Sequence, residues 1–436
     1  MIIKKSHINN RTSLSCVKTD KFKTGILTFT LTVPFEQEGY IHSLLLAGVL
    51  RRGTEKFPTM AKINSRLDEL YASCIEIRSN IVKDRLLLIF TAEFIDDRYT
   101  LCDVDVLDGI VEMVAEMLLR PKIDNGGFNA KIFEQELGFV VDSLNAERNH
   151  TRSYTATRCN EIINRENPFY PTINGLLEQS KSITPTSLFD YYRSISECSP
   201  IDVFYIGNCE SEVVETKVKK YFSDFSLKSD KPFSSAIFNY PNTFLSQKES
   251  LAVSQGKLAL GFNTNTDILS SEYYAAMVFN ELLGGSSSSK LFVNVRERLN
   301  ICYYCSSSYS IYTGILLVSC GIDVKNYEIA KKEILAQLSD VCNGKFDEYE
   351  LRTAKKSLIN CYKQIVDNPL DMQSFYSGRA VAGIDESIEK CLAGISAVTR
   401  EQIISISRNT VCIAEYFVEG NGAYDADGDS EEYDEQ

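Results

Sequence analysis

The chain has 436 residues, of which 44% are hydrophobic and 24% are charged. This length exceeds one ordinary hydrophobic core and predicts at least two globular domains. The formal net charge of −13 argues against non-specific nucleic-acid binding, which needs a basic face. Much of that charge comes from seven acidic residues within positions 425–436. We expect this acidic tail to be disordered.

The N-terminal residues and the cysteines predict a cytoplasmic protein. No apolar stretch follows Lys4 and Lys5, so the pattern of a secretory signal is missing. No apolar run approaches the roughly 20 residues that a membrane-spanning helix requires. The 13 cysteines are scattered without the spacing of a disulfide framework, which is typical of reduced thiols. We therefore expect a cytoplasmic location and no membrane partner.

The hydrophobic patterns alternate between strand and helix, and one order of elements occurs twice. The first half predicts strand 25–29, helix 40–51, helix 60–70, a strand near 71–74, strand 86–95, helices 104–119 and 129–146, and strand 203–206. The second half predicts strand 256–260, helix 273–285, helix 290–299, strand 302–305, strand 315–323, helices 327–338 and 348–366, and strand 413–417. This is an internal repeat.

The repeat predicts the α+β class, with two homologous domains in tandem. Each domain is expected to be a mixed, mostly antiparallel sheet with helices packed on one face. We place the domains at 1–227 and 242–424. The polar, proline-containing stretch 228–241 is the predicted linker, and 425–436 is the predicted disordered tail.

The order of elements resembles the insulinase-like (M16) metallopeptidases, whose chains carry two α+β domains of the LuxS/metallopeptidase type. Active members have a His-x-x-Glu-His zinc motif in the first helix, followed by a Gly-Thr pair. The pair Gly53-Thr54 is present here and aligns the motif with positions 44–48. Leu44 and Gly48 then replace the two histidines, and Ala47 replaces the glutamate.

The resemblance also places the third zinc ligand of the family in a later helix. That ligand is a glutamate seven residues after another acidic residue. Here the earlier acid is Glu136, and the ligand position falls on Ser143. A shift of one residue would offer Asp142, which would still be a lone ligand.

These replacements predict that the chain binds no zinc and is catalytically inactive. A catalytic zinc site needs three protein ligands and a bound water. The sequence has three histidines, His7, His42 and His150, and none falls on a ligand position. We interpret them as surface or partly buried residues.

The second half keeps residues that bind substrate in active relatives. In the family, an arginine and a tyrosine seven residues apart hold the substrate backbone and polarise the scissile carbonyl, and Arg296 and Tyr303 match them. Gly284 and Gly285 match the glycine-rich substrate loop of the silent subunit of the mitochondrial processing peptidase. The resemblance thus implies that these four residues contact an extended peptide. Alternatively, the pair is a surface arginine and a core tyrosine, and the glycines form a helix C-cap.

Cys302 and Cys305 have the spacing of a metal knuckle or a redox pair. They lie in a predicted strand, where positions three apart point to opposite faces. The sequence therefore predicts a structural role for both thiols.

Three functional hypotheses remain open. The first is a non-catalytic subunit that pairs with an active, zinc-containing M16 peptidase and completes a chamber around an extended peptide. The second is a stand-alone binding scaffold without a peptidase partner. The third is an enzyme that uses a different site, for which only Glu136, Asp142 and Ser143 offer reactive groups.

Two further runs resemble one bacterial subgroup of silent M16 proteins. They are 51–58 and 67–71. The subgroup is associated with the 5-aminopentanol modification of elongation factor P, and its members pair with a sister that keeps the zinc motif. The resemblance implies a connection with that modification and does not by itself imply a proteolytic step in it.

The missing ligands generate a direct prediction. We expect the purified chain, separated from any partner and dialysed without chelator, to contain far less than one zinc per molecule by elemental analysis. Stoichiometric, tightly held zinc between the first helix and the region of Ser143 would contradict it.

Overall fold

The computed structural model describes residues 3–33, 35–36, 38–225 and 239–421. The predicted linker falls on residues 228–241, most of which lie outside this set. The predicted acidic tail, 425–436, lies entirely outside it.

The strands are β1 Ile3–His7, β2 Thr12–Lys18, β3 Thr24–Val33, β4 Cys74–Val82, β5 Arg85–Ile95, β6 Ile201–Gly207, β7 Leu245–Leu251, β8 Gly256–Asn263, β9 Cys302–Tyr309, β10 Ile315–Ile322 and β11 Val411–Gly420. The helices are α1 Gly39–Leu50, α2 Met60–Glu69, α3 Val106–Leu119, α4 Ala130–Ala146, α5 Thr151–Ile163, α6 Ile173–Ser180, α7 Pro185–Cys198, α8 Ser211–Phe222, α9 Tyr273–Asn280, α10 Tyr327–Cys342, α11 Glu348–Gln364, α12 Pro369–Val381, α13 Ile388–Ala397 and α14 Arg400–Asn409. Two π-helical segments, Glu281–Gly285 and Leu291–Arg298, follow α9.

The strands form two sheets of the same topology. The first has the order β1-β2-β6-β3-β5-β4 and the second the order β7-β11-β8-β10-β9. The pairs β2–β6 and β7–β11 are parallel, and the other pairs are antiparallel. Apart from the additional strand β1, each strand of one sheet has a counterpart in the other. The predicted α+β class is therefore confirmed.

The chain divides into two compact units, and each is discontinuous in sequence. Unit 1 consists of Met1–Asn145, Pro171–Ile237 and Gln364–Ser387, and unit 2 consists of Ala146–Tyr170, Phe238–Lys363 and Ile388–Gln436. The sequence analysis placed each domain in one continuous stretch. The difference arises because each half contributes a helical segment to the unit built mainly from the other half.

In unit 1, the contributed helix is α12, which packs on β3 and β6. Tyr376 of α12 stacks on Phe204 of β6 with ring centroids 6.0 Å apart. Every residue of β3 after the first is buried. Because successive side chains of a strand point to opposite faces, both faces of the sheet are covered at β3. Helix α12 therefore adds cover at the central strand of the predicted sheet.

In unit 2, the contributed helix is α5, which packs on β8 and β11. An added Cβ at Gly261 of β8 would lie 2.5 Å from the Cδ1 atom of Ile163, so glycine permits this close approach. A polar cluster also joins α5 to β7 and β11. The Tyr154 hydroxyl of α5 donates to Glu249 of β7 at 2.7 Å. The Tyr416 hydroxyl of β11 donates to the same carboxylate.

Helix α1 is the element that positions the first candidate site. It is apolar on nearly every side, and its buried residues include Ile41, Leu45, Leu46 and Leu50. A helix that is hydrophobic all round is buried rather than amphipathic. It packs on β4 and β5 and lies against α7. Within the described residues, no helix is both long and apolar enough to cross a membrane.

Candidate functional site: a degenerate metal position and exposed arginine and tyrosine donors

The structure places all three positions of the expected zinc motif on the last turns of α1. Ala47 is buried, and Leu44 and Gly48 are partly buried. Leu44 and Gly48 are four residues apart and so share one face of the helix. None of these three side chains carries an atom that can coordinate a metal ion.

The carboxylate of Glu136 fills the space in front of Gly48. An added Cβ at Gly48 would lie 2.2 Å from Oε2 of Glu136 and 2.9 Å from its Cδ. Real Cβ atoms do not approach other atoms so closely. A histidine at this position would therefore have to displace the Glu136 side chain from α1.

Arg52, one turn beyond Gly48, neutralises this carboxylate. Its Nε and Nη2 atoms both contact Oε1 of Glu136. The Arg52 side chain is 24% exposed and the Glu136 side chain is 11% exposed, so water screens this ion pair only in part. The guanidinium also lies 5.8 Å from the ring centroid of Phe139. The retained acid thus links α1 to α4.

The position of the third ligand offers no compensation. Ser143 and Asp142 of α4 are both exposed. Among the residues that the structure describes, no group of three His, Cys, Asp or Glu side chains could hold a metal ion. A zinc ion therefore does not fit the donors at this position. The arrangement also gives no support to a different catalytic centre built on Glu136, because its carboxylate is paired with Arg52.

The histidines lie where an ordinary structural role explains them. His42 is buried in α1, with Nδ1 2.8 Å from the carbonyl oxygen of Glu38 and its ring 5.2 Å from that of Tyr191. His7 and His150 are exposed.

Arg296 lies on the π-helical segment 291–298 of unit 2. Its side chain is 40% exposed, and its Nε atom is 3.6 Å from Oε1 of Glu297. The guanidinium carbon is 4.8 Å from the ring centroid of Phe292. These contacts involve one edge and one face of the guanidinium, and the exposed remainder of the side chain is accessible to a ligand. Arginine offers donors in a fixed geometry, which suits a carbonyl or a carboxylate.

Tyr303 follows on β9 and is 50% exposed. Its hydroxyl donates a hydrogen bond to Oδ1 of Asp323 at 3.3 Å. The negative charge of Asp323 raises the pKa of Tyr303 above its usual value. The phenol therefore stays protonated well above neutral pH and remains a hydrogen-bond donor.

The two glycines near this region differ in accessibility. Gly284 is buried, and an added Cβ there would lie 2.7 Å from the backbone nitrogen of Ser307 on β9. Gly285 is exposed. Gly284 therefore permits close packing against β9, and only Gly285 presents its backbone to solvent. Substrate contact by either residue stays a prediction.

The arrangement of the cysteines on β9 differs from the sequence-based expectation. Cys302 and Cys305 are both buried, so they point to the same face. The cause is a β-bulge, because Gly321 pairs with Tyr304 and Ile322 pairs with Cys302. Tyr303 is the extra residue, which shifts the alternation of side chains by one position. The sequence carries no clear signal for this bulge.

The structure combines two α+β units of one topology with a first helix that lacks metal-binding side chains at the motif positions. An arginine and a tyrosine are exposed in the second unit. This combination resembles the M16 metallopeptidases, with the zinc motif replaced. The family model described as "Peptidase M16 inactive domain" matches residues 182–358.

Individual relatives agree with this class. The "Probable inactive metalloprotease YmfF" of Bacillus subtilis is 29% identical over 407 residues, which cover 93% of this chain and 95% of that protein. A conserved protein from Enterococcus faecalis has a crystal structure that superimposes with a TM-score of 0.86 at 25% identity and covers 96% of this chain and 99% of that one. A peptidase M16 inactive domain from Pseudomonas fluorescens has a TM-score of 0.75 at 13% identity, covering 97% of this chain and 100% of that one, and supports the fold.

The chain is thus similar to members of the M16 metallopeptidase family over most of its length. The predicted resemblance is confirmed, and the descriptions of the family model and of the Bacillus subtilis relative as inactive agree with the predicted loss of catalysis.

The ion pair beside Gly48 generates a stability prediction. Arg52→Ala should destabilise unit 1 by about 1–3 kcal/mol, because it leaves the Glu136 carboxylate buried without its partner. The double variant Arg52→Ala/Glu136→Ala should lose less stability than the sum of the two single variants. Calorimetric melting of the four proteins measures both effects.

Arg51→Ala is the matched control. Because Arg51 is exposed, this substitution should change stability by no more than about 0.5 kcal/mol. Strictly additive effects would contradict the coupling.

The packing of Gly284 generates a second prediction. Gly284→Ala should lower stability by about 1–3 kcal/mol, because the new methyl group overlaps the backbone of β9. Gly138→Ala is the control, since an added Cβ at that exposed helical position meets nothing within 4 Å. It should stabilise the protein by about 0.5–1 kcal/mol through helix propensity. Equal melting temperatures for the two variants would argue against the proposed packing role.

Proposed function

We propose that this chain is the non-catalytic subunit of an assembly with an active, zinc-containing M16 peptidase. In this proposal, the partner carries the His-x-x-Glu-His motif and performs the hydrolysis. The chain described here supplies part of the wall of a chamber and binds an extended peptide substrate. It holds no zinc of its own.

One contrast between the two units carries this proposal. Among the described residues of unit 1, no group of side chains could replace the missing metal ligands, and the acid Glu136 is paired with Arg52. Unit 2 keeps Arg296 and Tyr303 exposed, with their donor groups available to a ligand. A chain that had lost every role in peptide handling would have no need to retain these two donors. Their retention is best explained by binding without hydrolysis.

Arg296 and Tyr303 are suited to the peptide backbone. The guanidinium can donate to a backbone carbonyl. The phenol can exchange its 3.3 Å hydrogen bond to Asp323 for one to a second carbonyl or to an oxyanion. If the scissile carbonyl is polarised at the partner's zinc, such donors would stabilise the charge that develops on its oxygen. Gly285 would add a backbone contact to the same peptide.

The alternative is a stand-alone peptide- or protein-binding scaffold. The same exposed donors would serve a scaffold, so the presence of a peptidase partner distinguishes the two functions. Purification of the tagged chain from its native host, followed by mass spectrometry, provides that distinction. Recovery at normal abundance without a zinc-motif sister would favour the scaffold.

A connection with the 5-aminopentanol modification of elongation factor P is a further part of the proposal, and it rests on resemblance alone. The residues that carry that resemblance have structural roles. Oγ1 of Thr54 accepts a hydrogen bond from the Phe57 amide at 2.8 Å, and the Tyr71 hydroxyl accepts one from the Leu101 amide at 2.7 Å. They therefore support common ancestry with the subgroup rather than a ligand site. Loss of the modification on deletion of the gene would support the connection.

The substrate-side residues generate a kinetic prediction. In the reconstituted pair, Arg296→Ala should lower kcat/KM for peptide by about 10- to 1000-fold, as expected when a charged donor or an oxyanion donor is removed. Tyr303→Phe should produce a smaller loss of the same kind. Both variants should keep the melting temperature of the parent chain, because both side chains are largely exposed.

Two matched variants control this experiment. Arg298→Ala removes an exposed arginine from the same helical segment, and Tyr349→Phe removes the hydroxyl of a tyrosine that is 66% exposed. Neither should change peptide turnover. If Arg296→Ala and Tyr303→Phe behave like these controls, the two residues have structural roles only.

A further inference from the structure

Three cysteines of unit 2 lie side by side beneath the edge strand β9. Cys302 and Cys305 belong to β9, and Cys320 belongs to the neighbouring strand β10. Their exposed fractions are 9%, 2% and 0%. All three are free thiols that lie close together on the β9–β10 pair of strands. The bulge at Tyr303 makes this cluster possible, because without it Cys302 would point to the opposite face.

The register identifies the pair that a disulfide can join. Cys305 and Cys320 are direct partners in the antiparallel ladder. Such partners have Cα atoms about 4.5–5.5 Å apart. A disulfide requires about 4.4–6.8 Å, so this pair can be joined without movement of the backbone. Cys302 pairs with Ile322, two residues beyond Cys320, and is therefore a diagonal neighbour of the pair.

Cys302 is the thiol best placed to react first. It is the most accessible of the three. Hydrogen bonds from Cys305 and Cys320, together with the charge of Arg296, lower the pKa of Cys302 below its usual value, although burial opposes this. The same contacts with Cys302 raise the pKa of Cys305 and of Cys320. The lowered pKa favours the thiolate form of Cys302, and the thiolate is the nucleophilic form of cysteine.

We propose that Cys302, Cys305 and Cys320 form a redox-active thiol site that reacts with hydrogen peroxide and stores the oxidation as a Cys305–Cys320 disulfide. The Cys302 thiolate attacks one peroxide oxygen, the O–O bond breaks, and the departing hydroxide takes up a proton to become water. Cys302 is then a sulfenic acid. The Cys320 thiol attacks its sulfur, an S–S bond forms, and a second water leaves with the Cys320 proton.

Thiol–disulfide exchange completes the sequence. The Cys305 thiol releases its proton to solvent, which replaces the proton taken up by the departing hydroxide. Its thiolate then attacks the Cys320 sulfur, and Cys302 leaves as a thiolate. In total, two thiols are oxidised to one disulfide, and one peroxide is reduced to two waters. Cys302 returns to its starting state. Since the described residues contain no group of three such side chains suited to a metal ion, thiol chemistry is favoured over metal binding at this cluster.

The chain offers a convenient direct test. Trypsin cleaves after Arg298 and Lys325, so one peptide, 299–325, contains all three cysteines. The reduced protein, denatured and alkylated with N-ethylmaleimide, should carry three labels on this peptide. After treatment of the folded chain with hydrogen peroxide, it should carry one label, on Cys302, and should regain two alkylatable thiols on reduction.

Variants separate the roles of the three thiols. Cys302→Ser should slow disulfide formation by at least about tenfold, because an ordinary thiol is only a few per cent ionised at neutral pH. Cys305→Ser should stop the reaction at a Cys302–Cys320 disulfide. Cys361→Ser is the control, since Cys361 is exposed on α11 and lies outside the cluster. It should leave the rate unchanged.

Three outcomes would overturn the proposal. The first is that peptide 299–325 retains three alkylatable thiols under conditions that oxidise Cys361. The second is that Cys302 is oxidised to sulfinic acid and no disulfide forms. The third is that folded Cys302→Ser protein forms the disulfide at an unchanged rate, which would show that Cys302 is not the thiol that reacts with peroxide. The label count uses the unmodified chain alone, so its result does not depend on a peptidase partner or on the folding of any variant.

Discussion

The contact between α1 and α4 in unit 1 determines what this protein can do chemically. Glycine at position 48 lets the Glu136 carboxylate approach the helix axis, and Arg52 neutralises that carboxylate. A buried carboxylate without a partner would be costly, and Arg52 supplies that partner. The glycine at position 48 and the ion pair are therefore two parts of one contact. The fold of α1 survives because the rest of the helix is apolar and buried.

In unit 2, by contrast, the polar side chains of the candidate site are exposed. There the side chains of Arg296 and Tyr303 are exposed to solvent. Glu297 contacts the guanidinium and Asp323 contacts the phenol hydroxyl, and both side chains remain partly accessible. Asp323 contributes twice, because it orients the Tyr303 hydroxyl and keeps it protonated. In unit 1 the position aligned with the zinc motif forms a structural contact, whereas in unit 2 a ligand can reach the polar groups.

Much of this organisation could be predicted from the sequence. The repeat of strand and helix patterns gave the α+β class, and the Gly53-Thr54 pair located the degenerate motif on the first helix. Periodicity is a local signal, so it could not reveal that α5 and α12 are contributed to the other unit's sheet. The role of Arg52 was also missed, because an arginine four residues after Gly48 carries no signal until α4 is placed beside it. The bulge at Tyr303 was missed for the same reason, since strand alternation is assumed to be regular until the register is known.

The discontinuous units have a consequence for how the chain is made. Unit 1 includes Gln364–Ser387 as well as the N-terminal residues. During translation the N-terminal half therefore emerges without α12, which covers its central strand β3, and it must wait for more than a hundred further residues before its sheet is sealed. Until then, apolar strand surface is exposed at the ribosome. A unit whose sheet is covered by a helix from far along the chain is thus completed only late in synthesis.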